Sequence, residues 1–190
     1  MKKAEDLNNL EIWKRDNCSR MFDAVQHKLM ENFGLLDSVE LKKQESDVLS
    51  DFEMWFIMSS LPNLYFPTAT KDGNLVANNW TKLYSSTEHG ISVTRFQANV
   101  FDYRGPTVGV FRFRDGSLFV LAREDEWKDS SKPYTSTSTI LIKLFPDYVR
   151  IESPSIYCNF KLRNSPLKLS FDSYGTISKD MDNLIDVEVT

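Results

Sequence analysis

The stretch Leu83–Phe96, LYSSTEHGISVTRF, brings hydroxyls at Ser85, Ser86, Thr87 and Ser92 together with a carboxylate at Glu88 and an imidazole at His89. A serine nucleophile, a histidine base and an acidic group that orients the histidine are the parts of acyl-transfer catalysis. In that arrangement Ser85, Ser86 or Ser92 would attack, His89 would take the proton and Glu88 would hold the ring. The spacing argues otherwise. Triad members are set by geometry and normally lie far apart in the chain, and adjacent Glu88 and His89 cannot easily aim at each other. No G-x-S-x-G elbow occurs in the sequence. The same residue types are also the stock of caps and turns. On that reading a helix ends at Tyr84–Ser86, a polar turn follows, Gly90 takes an unusual backbone angle and Ser92 caps the next helix. We adopt the structural reading, so no residue is assigned a catalytic role. The alternative is a small hydrolase or antioxidant enzyme working through His89 with Ser85 and Glu88.

The remaining chemistry is sparse. The other histidine, His27, has no cysteine or carboxylate at ligand spacing, so neither a metal nor any other cofactor is expected. Zinc motifs, the P-loop, G-x-G-x-x-G and H-E-x-x-H are absent. Cys18 and Cys158 lie far apart in a pattern that fits neither a redox motif nor a secreted disulfide framework, which points to a reducing, cytoplasmic compartment. A net charge of −4 disfavours nucleic acid as a partner. The N-terminal residues lack the apolar core of a signal peptide, and no apolar run reaches the ~20 residues that span a bilayer. Any membrane association is expected to go through a partner.

These residues must be positioned by a chain of 190 residues whose pattern changes near residue 100. Phe22, Val25, Leu29 and Phe33 recur at helical spacing and stop at Gly34, a natural residue for a helix end. A second helix is predicted from Ser46 or Asp47 to about Ser60, ended by Pro62. A turn at Asp72-Gly73 leads into a third, with Val76, Trp80, Leu83 and Tyr84 on one face, and Ser92 caps a fourth carrying Val93, Phe96 and Val100. From Gly105 and Pro106 onward the period is two. Asp115-Gly116 lies between two β-type runs, a strong hairpin signal. Further strands are predicted at STILIKLF, YVRIE, FKL, LKLSF and the final LIDVEV, where Ile185, Val187 and Val189 share a face. The fold class is α+β: a helical segment over 1–70 and an antiparallel two-sheet β-sandwich over 71–190.

Two stretches carry a resemblance. WTKLYSSTEHGIS (Trp80–Ser92) and YRGPTVGVFRFRDGSLF (Tyr103–Phe119) resemble the opening half of a TLDc domain, with its leucine–tyrosine–serine run, histidine–glycine–x–serine turn, glycine–proline–threonine strand start and aspartate–glycine hairpin. The motif residues are Ser86, His89, Gly90, Ser92, Gly105, Pro106, Asp115 and Gly116, and Trp127 and STILIKLFP fit the slots that follow. The apolar segment before them looks like the one preceding TLDc in the fungal restriction-of-telomere-capping branch. The phenylalanine–glycine–leucine–tryptophan stretch usual in the family's second half is replaced by SFDSYGTISKDM, as expected of a divergent member or a shortened chain. The resemblance implies a two-sheet sandwich and a role in oxidation resistance. It also implies binding to the peripheral (V1) sector of the vacuolar-type proton-pumping ATPase at the vacuole, altering that pump's assembly.

Candidate contacts for a protein partner are Trp127 and the arginines Arg112 and Arg114. Trp127, in REDEWKDSSK, either tucks onto the sandwich or stands out as an anchor. The arginines alternate with Phe111 and Phe113, which gives one strand face a cationic strip that could steer association with an acidic assembly. The N-terminal helix either packs on the sandwich or reaches for a partner's helices.

Overall fold

The computed structural model describes residues 2–35, 44–66, 68–71, 74–77 and 80–190. The chain forms two compact units, Met1–Glu45 with Leu49–Trp80 and Ser46–Val48 with Thr81–Thr190.

In the first unit, α1 (Lys2–Asn17) and α2 (Asp23–Asn32) precede α3 (Asp51–Ser60). Helix α3 starts where its cap dictates. Ser50 accepts from the Glu53 amide while the Glu53 carboxylate takes the Ser50 N–H at 2.7 Å, a reciprocal capping box. The helix therefore begins at Asp51, later than the apolar pattern suggests. Met54, Ile57 and Leu61 are buried along it, and Pro62 terminates it. The loop after α1 is tied to its C-terminal end: the Arg20 amide donates to Ser59 O, and Cys18 Sγ lies 3.2 Å from Ser60 Oγ. Trp80 stacks on Phe66, with centroids 5.7 Å apart, and its indole N–H donates to Tyr65 O.

The helix predicted over Val76–Tyr84 does not form. Strand β1 (Thr68–Lys71) pairs antiparallel with β2 (Asn74–Ala77), setting Val76 opposite Ala69, and Tyr84 enters a separate strand. Cross-strand pairing with a polar TATK segment overrode the 3.6 period. The expected Asp72-Gly73 turn lies outside the described residues.

The second unit is a two-sheet antiparallel sandwich. Its strands are β3 (Tyr84–Ser85), β4 (Thr107–Phe113), β5 (Leu118–Arg123), β6 (Tyr134–Thr135), β7 (Ile140–Phe145), β8 (Val149–Glu152), β9 (Ser155–Asn159), β10 (Lys168–Phe171), β11 (Gly175–Ser178) and β12 (Leu184–Val189). One sheet runs β3-β12-β4-β5-β7-β8 and the other β11-β10-β9-β6. Phe111, Phe119, Leu121 and Leu141 from the first meet Ile156, Cys158, Leu169, Phe171 and Ile177 from the second in one cluster. Burying each large apolar side chain contributes roughly 1.5–3 kcal/mol. Val108, Val110, Val120 and Ile142, on the opposite face of the central strands, are buried too, hence the near-continuous apolar runs there.

Local chemistry sets the register. The Asp115-Gly116 hairpin closes through Gly116 N–H to Phe113 O and Phe113 N–H to Ser117 O, with Gly116 at φ +86°. It is a three-residue loop whose left-handed position requires glycine. Asp115 Oδ1 accepts the Ser117 hydroxyl and amide, which holds its carboxyl below the usual carboxylate range. In β12 the pairing shifts between Leu184 and Asp186, so Leu184, Val187 and Val189 reach the core and Ile185 is left half exposed. That bulge breaks the shared face predicted for Ile185. The FKL strand is also absent: the Asn159 side chain accepts from the Lys161 and Leu162 amides and turns the chain away after β9.

Removing the α3 cap tests this account. Ser50→Ala should cost about 1 kcal/mol of stability, read as a lowered urea midpoint with an unchanged slope.

Candidate functional site

The polar stretch of the motif forms a compact turn built around one tyrosine. Strand β3 ends at Ser85, whose hydroxyl accepts the Thr87 amide and caps α4 (Ser86–His89). Gly90, at φ +68°, stops that helix, and Ser92 caps α5 (Val93–Val100). The buried Tyr84 ring spans the turn: its hydroxyl donates to Gly90 O at 2.6 Å and accepts the Ser92 amide at 3.1 Å. His89 stacks on Tyr84 at 5.4 Å, its Nδ1 accepting the Ser85 amide at 3.2 Å, and Arg95 donates to His89 O.

The three groups of the catalytic alternative each face another partner. The Ser85 hydroxyl donates to Asp47 Oδ2 at 2.6 Å, and Glu88 accepts from Lys82 at 3.4 Å. Ser86 Oγ donates to Asp186 and accepts the Val187 amide. Among the described residues no hydrogen bond joins a serine hydroxyl to the His89 ring, so the nucleophile–base contact is not formed.

Beside this turn lies a clasp that sequence reasoning missed. Asp186 and Glu188, two residues apart on β12, line the strand opposite Arg112 and Val110 of β4, and Glu188 also faces Ser85 of β3. Glu188 is buried, and its Oε2 accepts both the Ser46 hydroxyl at 2.8 Å and the Asp47 amide at 2.7 Å. Asp47 in turn takes Lys82 at 2.7 Å, and Arg112 Nη2 donates to Val48 O. Four bonds to strand residues, from Glu188 twice, Ser85 and Arg112, and a fifth to Lys82 thus hold Ser46–Val48, and Arg112 is turned to backbone rather than presented on an open strip. The acidic alternation in LIDVEV was the available signal; the partner segment lies more than a hundred residues away.

The two carboxylates of the clasp respond oppositely to pH. Burial raises the Glu188 pKa and the nearby Asp47 charge adds to it, against the lowering effect of Ser46, the Asp47 amide and Lys82. The Lys82 and Ser85 hydrogen bonds lower that of Asp47.

Trp127, a candidate anchor, is not on the surface. It is 1% exposed, its indole N–H donates to Thr107 Oγ1, and it packs edge-on against Phe96 at 5.5 Å. A large ring with one donor is better satisfied in this core than in water. Over it lies Arg123, fully buried, 4.8 Å from the ring and donating to Asp125 O, Glu126 O and the Tyr134 hydroxyl. A lone arginine ending a strand gave no sign of this role. Arg114 is exposed at the hairpin, donating to Asp182 O. Gly105 lies against the Tyr103 ring, and the exposed Pro106 leads into β4.

Nearby, an open recess is lined by Arg104, Lys128, Glu124, Asp125, Thr135 of β6 and the following Ser136 and Thr137, a mixture of signs that favours no ion. No group of three or more His, Cys, Asp or Glu among the described residues is placed to hold a metal. Cys158 is buried, and burial pushes its thiol up to about 12, far from the thiolate that oxidative sensing needs.

A protein-family model described as the TLDc domain matches residues 42–182. No curated protein matches the chain.

Two predictions follow from the clasp and the buried arginine. The raised Glu188 pKa contributes stability that is full below its unfolded value of 4.5 and is lost as pH rises through the folded value. The lowered Asp47 pKa contributes stability present above 3.8 and lost as pH falls through its folded value. In denaturant titrations across pH, Glu188→Gln should therefore flatten the loss on the alkaline side, and Asp47→Asn the loss on the acid side. Arg123→Ala leaves two carbonyls and a phenol without their donor and should cost roughly 3 kcal/mol. Arg123→Lys should recover only part, because one ammonium cannot serve three diverging acceptors.

Proposed function

This chain belongs to the TLDc domain family, and from that premise we propose that it is a non-enzymatic regulatory protein that docks on the peripheral sector of the vacuolar-type proton-pumping ATPase. On this reading it modulates the pump's assembly and so contributes to oxidation resistance. TLDc domains are regulatory rather than catalytic, and the family points to protein–protein interaction. The observation that carries the reading here is the occupancy of the motif's polar groups. Ser85, Ser86, Glu88 and His89 each hold another part of the chain, and among the described residues neither Ser85 nor Ser86 gives its hydroxyl to the His89 ring, which supports a binding role over a catalytic one.

The mechanism is differential affinity. A protein that binds the released sector more tightly than the assembled pump shifts the equilibrium by that difference and no more. A tenfold preference supplies about 1.4 kcal/mol, so extensive release needs a larger preference or coupling to ATP turnover. The protein would work in the cytoplasm and reach the vacuolar or endolysosomal membrane only through its partner. No helix among the described residues is long and apolar enough to cross a membrane. With Trp127 buried and Arg112 turned to Val48, the exposed Arg114 is the cation of the original trio best placed to steer association.

Mixing the purified chain with membranes bearing the intact pump, with and without ATP, tests the proposal. The expected result is comigration with the peripheral sector and loss of that sector from the membrane pellet, with slower association for Arg114→Glu. A chain that stays unbound under both conditions rejects it.

A further inference from the structure

The first unit presents an apolar surface that its own fold leaves uncovered. The backbone is helical slightly beyond α2 at both ends, with Gln26 N–H bonded to Phe22 O and Phe33 N–H to Leu29 O. At 100° per residue, Phe22, Val25, Leu29 and Phe33 fall in one stripe about 80° wide and ~16 Å long. An amphipathic helix normally turns such a stripe inward. Here the four are 54%, 56%, 52% and 76% exposed. Leu7, Leu10 and Trp13 of α1 are exposed as well, and Lys14 Nζ lies 4.7 Å over the Phe22 ring, joining the two helices at that end. The side chains that share a face, Phe22, Val25, Leu29 and Phe33 of the stripe with Leu7 and Leu10 on the Lys14 side of α1, together offer on the order of 650 Å², at the lower end of what one partner contributes to a specific interface.

We propose that this surface binds the same surface of a second copy, forming a two-fold dimer through α2. Two features favour a second copy over a different protein. Two such faces together bury roughly 1,300 Å², above the ~1,000 Å² that a specific interface needs, without any contribution from the sandwich. The charge is also balanced: residues from Lys2 to Leu35 include six basic and six acidic side chains, while the whole chain carries −4. A two-fold interface places a surface against itself, so a charged patch would repel its own copy, whereas a neutral one meets no such penalty. An antiparallel crossing of the two α2 helices sets Phe22 of one copy against Phe33 of the other and leaves no charge within the stripe. The inference does not depend on the proposed ATPase docking.

Sedimentation of the full chain from about 1 to about 100 µM spans the Kd range of such an interface. The mass should rise from the single-chain 22.0 kDa toward twice that value. Leu29→Lys with Phe33→Lys should hold it at the single-chain mass while leaving thermal unfolding unchanged at about 1 µM and below, where both chains are single, since neither side chain is buried. Both native thiols are buried, so Val25→Cys adds an accessible one. A short bismaleimide should link that variant into dimers, and the two lysine substitutions should abolish the linkage. A single-chain mass at every concentration overturns the proposal. So does a dimer that survives the double substitution, because the interface then lies elsewhere.

Discussion

Burying Trp127 with its one polar hydrogen satisfied is the constraint around which the sandwich is arranged. The indole needs an acceptor and finds it in Thr107, the first residue of β4. It needs edge and face contacts, supplied by Phe96 of α5 on one side and by Arg123, the last residue of β5, on another. Gly109 follows from the same packing: a side chain there would lie 2.9 Å from the Phe111 ring and 3.6 Å from Trp127. Arg123 can be buried because two carbonyls of the following loop and the Tyr134 hydroxyl take its donors while the rings of Trp127 and Tyr134 cover its faces. One tryptophan thus couples β4, β5, β6 and α5, and fixes the path of the charged 124–132 loop. Asp129 reinforces that path by accepting from Gln97 and the Phe160 amide.

Through Phe96 the same constraint reaches the motif turn. Phe96 meets Tyr84 edge-on at 5.5 Å, and Tyr84 carries the hydroxyl that bridges Gly90 and Ser92. The serines and histidine are consequently structural, closing a chain reversal beside a buried ring. In this geometry the Ser85 and Ser86 hydroxyls are directed to Asp47 and Asp186 rather than to the His89 ring. His89 keeps its ring parallel to Tyr84, and the Ser85 hydroxyl is drawn to Asp47.

The Glu188 clasp adds a different kind of linkage. A buried carboxylate that accepts a backbone amide and a hydroxyl from Ser46–Asp47 ties a segment early in the chain to the last strand of the sandwich. Its companion Asp47 is stabilised as an anion by Lys82 while Glu188 is disfavoured as one, so the pair holds the segment best at moderate acidity. In a family whose members act by binding other proteins, the fold offers three surfaces of distinct character. These are the uncovered helical stripe, the exposed hairpin with Arg114, and the mixed-charge recess near Arg104.

Much of this was legible without coordinates. Short-range chemistry determined the elements whose causes are local: the Ser92 cap, the stop at Gly90, the Asp115-Gly116 hairpin, the stripe Val93–Phe96–Val100 and the alternating strands that declare a sandwich. The quoted motifs identified the family for the same reason, since turns and caps are written in adjacent residues. Tertiary structure decided whatever depends on a distant partner. Pairing with β1 made Val76 a strand residue, a bulge removed Ile185 from the core face, and burial took Trp127 out of the candidate interface. Glu188 and Asp47, separated by most of the chain, became one site only when β12 lay beside β3. Periodicity records which way a side chain points from its own backbone; what it points at depends on the packing of segments that the local pattern does not encode.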